Sequence, residues 1–241
     1  MKRIPLLLSL LTTAALLSEP ALAQKTKIKT KGAATDVPAA ARRLLPLFGG
    51  LTPEAGQQLV GAAFLQSADQ SFGSRAEASQ FFANKAYEYL NEGQTDTARY
   101  RFNLAWVLDP KNPAPYRGLG LLTVGTAPDE ALALLNQALA LSPNDAQLLT
   151  DVGGVYLIRF EQGQKGKDLK TADDYLRRAV AADANNSYAW QQLAWVQFKQ
   201  ENYPGAWESF HKARALDFRN LDFELVSQLK EKLPDPQGMF K

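Results

Sequence analysis

Four stretches of this 241-residue chain share one cadence. They read RFNLAWVLDPKN (Arg101–Asn112), LNQALALSPND (Leu135–Asp145), LRRAVAADANN (Leu176–Asn186) and FHKARALDFRN (Phe210–Asn220). Each has a large apolar residue, an Ala three positions on, a Leu- or Ala-rich turn, and a break rich in Asn or Asp. The breaks at Pro110, Pro143, Ala184 and Phe218 are spaced 33, 41 and 34 residues apart. A period of about 34 residues is that of a helix-turn-helix unit. One such unit cannot bury its own apolar face, so neighbours must stack into a solenoid.

Aligning the copies on their breaks sharpens the pattern. An early large position falls on Phe82, Tyr116, Leu149 and Trp190, and a late one on Phe102, Leu135, Leu176 and Phe210. Small residues fall on Ala86, Ala98 and Ala105, then on Gly120, Ala131 and Ala138. In the later copies they fall on Gly153, Ala172 and Ala179, then on Ala194, Ala206 and Ala213. This arrangement resembles the tetratricopeptide repeat over roughly residues 79 to 220. Helices packed side by side lie about 8–10 Å apart, so small residues at the crossing let the two helices of one repeat approach. The resemblance implies an all-α fold, an α-solenoid of about four repeats spanning residues 74–220. The usual Leu-Gly pair is Lys85-Ala86 in the first copy, and the terminal Pro is Ala184 and Phe218 in the last two. These departures blur repeat boundaries and leave the period intact.

The flanks differ in kind. Met1-Lys2-Arg3, an apolar run from Ile4 to Leu17 and Ala21-Leu22-Ala23 form the three-part pattern of a secretory signal peptide in residues 1–23. Cleavage after Ala23 would begin the mature chain at Gln24. The run is too short to span about 30 Å of hydrocarbon with ease, and no later segment is apolar enough to do so. The expected product is exported, periplasmic or secreted, with no integral membrane span. In residues 24–50, Lys25, Lys27, Lys29 and Lys31 alternate with small or apolar residues. They form either a solvated tail or a weak contact with an anionic envelope surface. The apolar cluster from Arg42 to Gly50 either docks on the body, in its own groove, or forms a short packed helix. A helix is expected from residue 51 to about 70, with Thr52 as cap and Pro53 in its first turn. Ser74 and Glu77 look like a capping box opening the array. Leu221 to Leu233 is an amphipathic helix capping the other end, with Leu221, Phe223, Leu225, Val226, Leu229 and Leu233 as its apolar members. The third copy carries seven extra residues, placed at Arg159 to Thr171 and read as an exposed mobile loop, neutral or on a binding face.

Chemistry is sparse. There is no Cys and one His, so thiol nucleophiles and zinc-thiolate sites are excluded. His211 reads as a surface or boundary residue. Asp129-Glu130 and Asp173-Asp174 read as first-turn acidic pairs favoured by the helix dipole. Gly163 to Asp168 lacks the outer Gly and the hydroxyl of a phosphate loop, since those places hold Glu161 and Asp168. Gly118-Leu119-Gly120 lies inside a repeat helix rather than after a strand. A formal net charge of +2 argues against nucleic acid as a partner. No cofactor and no metal are expected.

A solenoid's first helices line a concave surface. By the tetratricopeptide resemblance, the groove positions include Tyr87, Leu90, Arg117, Leu121, Val124, Thr150, Tyr188, Gln191, Trp195 and Phe198. Repeats of this kind that grip a chain-end carboxylate use Lys and Asn at set positions. Here Ala83, Tyr87 and Gly118 stand there instead. An apolar, aromatic groove suits a peptide or partner helix. The sequence therefore reads as a non-catalytic scaffold or adaptor binding protein in the cell envelope. The alternative is an accessory module carrying a cell-wall or surface polymer for a separate enzyme.

Overall fold

The computed structural model describes residues 37–240. The signal-peptide pattern of residues 1–23, the cleavage expected after Ala23 and Lys25, Lys27, Lys29 and Lys31 lie outside the described residues. Among the described residues there are thirteen helical segments and no strand. Two short ones, α1 (Ala39–Arg42) and α2 (Leu47–Gly50), precede α3 (Pro53–Val60) and α4 (Ala62–Ser71). Four hairpins follow: α5 (Arg75–Asn91) with α6 (Thr95–Leu108), and α7 (Pro113–Thr123) with α8 (Pro128–Leu141). Then come α9 (Ala146–Gly163) with α10 (Gly166–Ala182), and α11 (Ser187–Lys199) with α12 (Tyr203–Leu216). A last helix, α13 (Phe223–Lys232), closes the array. Each hairpin packs its two helices together, and its second helix packs against the first helix of the next hairpin.

The Asn- and Asp-rich breaks are the N-caps of the helices that follow them. Asn112 accepts from Ala114 N, Asp145 from Gln147 N and Leu148 N, and Asn186 from Ala189 N. Asp222 accepts from Glu224 N and Leu225 N in the same way. Each cap satisfies backbone donors that have no partner within the helix, worth about 1 kcal/mol. Two caps also reach back to the preceding hairpin. Asn112 Nδ2 donates to Ser79 Oγ at 2.9 Å, and Asn186 Nδ2 to Thr150 Oγ1 at 3.2 Å. These bonds tie successive first helices and set the repeat-to-repeat step.

All twelve small residues of the repeat pattern are buried. Two show directly why nothing larger stands there. A Cβ on Gly120 would lie 2.9 Å from Leu135 Cγ, and one on Gly153 would lie 2.6 Å from Leu176 Cγ. In these two hairpins the late large residue of the second helix presses on the small residue of the first. Gly118 does the same job between hairpins: a Cβ there would overlap the Phe102 ring.

The structure departs from the sequence reading in five places. The seven extra residues of the third copy do not form a loop. They lengthen α9 to 18 residues and α10 to 17, leaving Gln164 and Lys165 between them, with Gln164 left-handed at φ 50°. Seven residues make about two turns at 3.6 per turn, one for each helix, so the register of the hairpin is kept. Leu157, Leu169 and Ala172 give the added turns a buried apolar seam. Arg159 clips the tip, 2.8 Å from Asp129 and 3.4 Å from Asp168. Asp173 and Asp174 consequently sit in mid-helix, where they pair with Arg177 and Lys170 four residues away. The single helix expected from residue 51 is two helices, broken at Gly61, whose φ of 85° and ψ of 157° suit only glycine. Among the apolar members of the closing helix Phe223 is 55% exposed, while Leu221, Leu225, Val226 and Leu229 are buried. His211 is buried, with Nε2 2.7 Å from Asp235 Oδ1. The last residues fold back over α12 to bring that carboxylate in. Asp235 also accepts from the N–H groups of Gln237, Met239 and Phe240, and the Phe240 ring stacks on Trp207 and His211.

The segment from Arg43 to Gly50 packs against α6, a second helix, and so does not enter the first-helix groove. Leu47 and Phe48 are buried, and Asn103 Nδ2 donates to Arg43 O and Leu45 O.

Candidate functional site

The first helices α7, α9 and α11 line a cleft of about 360 Å³. Leu121 and Val124 come from α7 and its end, Val155, Leu157 and Ile158 from α9, and Tyr188 and Trp195 from α11. Asp151, Glu161, Thr150 and Gln192 supply the polar lining, and Gly154 keeps the floor low. Tyr188 is 55% exposed at its mouth. The lining is an apolar bed with one accessible aromatic and two carboxylates.

Leu121, Val124, Thr150, Tyr188 and Trp195 thus come together as the repeat pattern implies. Thr150 contributes little hydrogen-bonding freedom, because its hydroxyl donates to Ala146 O at 2.6 Å and accepts from Asn186. Trp195 is also held from the far side, its indole N–H donating to Asp222 Oδ2 at 2.8 Å. Gln191 lines a neighbouring pocket with Tyr188, Asp217 and Asn220, and its side-chain oxygen accepts from Asp222 N. Both residues therefore help seat the closing helix. Tyr87 and Arg117 line a smaller pocket of about 190 Å³ with Asp145, Gln147 and Leu148. Leu90 packs against the core, and Phe198 packs between Trp195 and Tyr203, at 5.8 Å and 5.7 Å.

The two ends of the cleft are electrostatically distinct. At one, Arg117 Nε lies 2.5 Å from Asp151 Oδ2, and Nη1 donates to Gln147 Oε1 at 2.9 Å. Burial pushes the Asp151 carboxyl above its usual range, while the Arg117 guanidinium works against that rise. Burial likewise pushes the Tyr87 hydroxyl up to about 12, so it stays neutral and donates to Ala114 O at 3.2 Å. At the other end Glu161 meets Lys199 at a loose 3.7 Å, and the Lys199 ammonium lies 5.2 Å from the Trp195 ring centroid. A salt link that long and half-exposed yields readily to a competing cation.

Sequence reasoning missed Asp151, Gly154, Ile158 and Glu161. Their spacing of three, four and three residues marks one face of a helix. The seven-residue surplus was the available signal, since it carries α9 one turn further and with it the wall formed by Ile158 and Glu161.

No protein-family model matches this chain, and no curated protein matches it either. Solved structures do. A structure of pilF from Pseudomonas aeruginosa superposes with a TM-score of 0.56 at 23% identity, over 66% of this chain and 69% of that one. A thermophilic TPR protein of Thermus thermophilus superposes at 0.55 and 19% identity, over 64% and 80% of the two chains. The chain has the tetratricopeptide-repeat fold. The APC/C hetero-tetramer Cut9-Hcn1 also contains a match, with a TM-score of 0.55 at 17% identity, over 74% of this chain and 33% of that chain. In this tetratricopeptide solenoid the cleft occupies the first-helix side of the second, third and fourth hairpins.

Among the described residues, no group of three or more His, Cys, Asp or Glu is placed to hold a metal ion, and no helix is long and apolar enough to cross a membrane. Burial of Asp235 favours its neutral form, but the three N–H donors and His211 outweigh it and hold the carboxyl down at about 2.

Proposed function

We propose that the chain is a non-catalytic adaptor of the cell envelope that holds a peptide or partner helix in its concave cleft. The exported location rests on the signal-peptide pattern of residues 1–23. The binding mode rests on one observation: an apolar cleft about 360 Å³ in volume, open at Tyr188 and walled by the lengthened α9. That volume takes two large side chains of a ligand, and an exposed aromatic over an apolar bed is the usual anchor of such contacts.

Selection from a displayed peptide library against the immobilised chain tests this reading. Selected peptides are expected to carry paired large apolar residues. Ile158→Asp with Tyr188→Ala is expected to weaken them by about tenfold or more, while leaving the melting transition cooperative. Peptides bound equally well by the double variant, or no peptide selected at all, would sink the proposal.

A further inference from the structure

The strap from Arg43 to Gly50 is seated like a bound peptide. It belongs to no hairpin, and Asn103 reads its backbone, Nδ2 donating to Arg43 O and Leu45 O at 2.9 Å each. Leu47 and Phe48 are buried against α6, with Phe48 edge-on to Tyr100 at 6.3 Å. Glu130 and Leu134 of α8 lie alongside.

Two features show that the strap is an imperfect occupant. Leu47 and Phe48 have φ of 50° and 53°, followed by Gly49 and Gly50 at 83° and 77°. Left-handed backbone suits the glycines and disfavours the two residues that carry a Cβ. Asn103 is fully buried, yet its Oδ1 has no hydrogen-bond partner, and a buried acceptor without a donor is unfavourable. A gap of about 190 Å³ beside the strap, lined by Leu45, Leu47, Glu130 and Leu134, gives room for a better-fitting chain.

We propose that this second-helix face of the first two hairpins is a further recognition site. Its ligand is a short segment that closes one left-handed turn and carries two adjacent large apolar residues. Backbone carbonyls just ahead of them meet Asn103 Nδ2, and a backbone N–H meets Asn103 Oδ1. The chain fills the site with its own residues 43–50, and a partner's segment of the same chemistry displaces them. This site is separate from the concave cleft and stands whether or not that cleft binds peptide.

The probe is a fluorescent peptide of residues 41–52, ARRLLPLFGGLT, added to the full chain. Leu47→Ala with Phe48→Ala empties the site, and this variant is expected to bind the peptide about tenfold more tightly than wild type. Adding Asn103→Ala is expected to abolish that gain. Equal binding by wild type and the emptied variant, or a gain that survives Asn103→Ala, overturns the proposal. Should the emptied variant fail to fold, hydrogen exchange on wild type decides. The Gly49 and Gly50 amides, which both bond to Pro46 O, are expected to exchange faster with excess peptide. Exchange unchanged by the peptide overturns the proposal equally.

Discussion

Two glycines inside helices should respond to the same substitution with opposite signs. Gly118 lies in mid-α7, and a Cβ there would overlap three atoms of the Phe102 ring. Phe102 is fully buried and packed edge-on to Tyr87 with centroids 4.8 Å apart, so the ring has nowhere to swing. Gly154 lies in mid-α9, and the nearest atom to its added Cβ is Gln192 Oε1 at 3.9 Å, an ordinary contact. Replacing Gly by Ala inside a helix gains about 1 kcal/mol through backbone entropy. Gly154→Ala should realise that gain in full. Gly118→Ala gains the same amount but overpacks a filled interface, which costs up to about 3 kcal/mol. The net is a loss of about 2 kcal/mol. For a chain of this size 1 kcal/mol moves Tm by about 2–4 °C. Thermal melts followed by far-UV circular dichroism should therefore place Gly118→Ala about 4–8 °C below wild type and Gly154→Ala about 2–4 °C above it. A Gly118→Ala protein as stable as wild type would refute the close approach of α6 and α7 on which the hairpin-to-hairpin packing rests.

Ala138 is buried at the α7–α8 crossing; Ala138→Leu should cost about 1–3 kcal/mol in urea unfolding, and a wild-type midpoint would mean the helix register is misplaced. Asn112 caps α7 and holds Ser79, so Asn112→Ala should cost about 1–2 kcal/mol, whereas the exposed Asn185→Ala should stay within about 0.5 kcal/mol of wild type. Asp235 is held at about 2 against an ordinary 3.8. Its folded value is depressed, so its stabilisation is complete above the unfolded pKa and is lost as pH falls from about 4 towards 2, amounting to about 2 kcal/mol. Melts across that pH range should show this loss, and Asp235→Asn should flatten it; a variant with an unchanged acid profile would assign the effect to other carboxylates.

The stacking rule was legible because it is local and repeated. Ala131 and Ala138 stand four residues before and three after Leu135, and the same offsets recur around Phe102, Leu176 and Phe210. The Asn and Asp breaks were visible as breaks, and their role as caps followed from where the next helix begins. The third copy misled because Gly163, Gly166 and three lysines mimic loop composition, while the apolar spacing of Leu157, Leu169 and Ala172 speaks for two longer helices. His211 reads from sequence as a surface or boundary residue because its partner, Asp235, lies 24 residues away in a tail with no periodic signal. The same limit applies to the strap: Asn103 is 58 residues from the carbonyl of Leu45, and nothing local in either stretch announces the pairing. Leu121, Tyr188 and Trp195 line one cleft because first-helix positions repeat with the period. Trp195 and Gln191 turned out to be partly engaged because the array ends there and Asp222 of the closing turn needs partners.

The central claim is that the first-helix cleft is where a partner segment sits. Methyl-labelled NMR of the full chain, titrated with a library-selected peptide whose binding Ile158→Asp with Tyr188→Ala weakens, tests it most directly. The account predicts shifts centred on Leu121, Val124, Val155 and Ile158, with the methyls of Leu47, Leu104 and Leu134 unmoved. Shifts confined to the second-helix face, or spread without a centre, would contradict it.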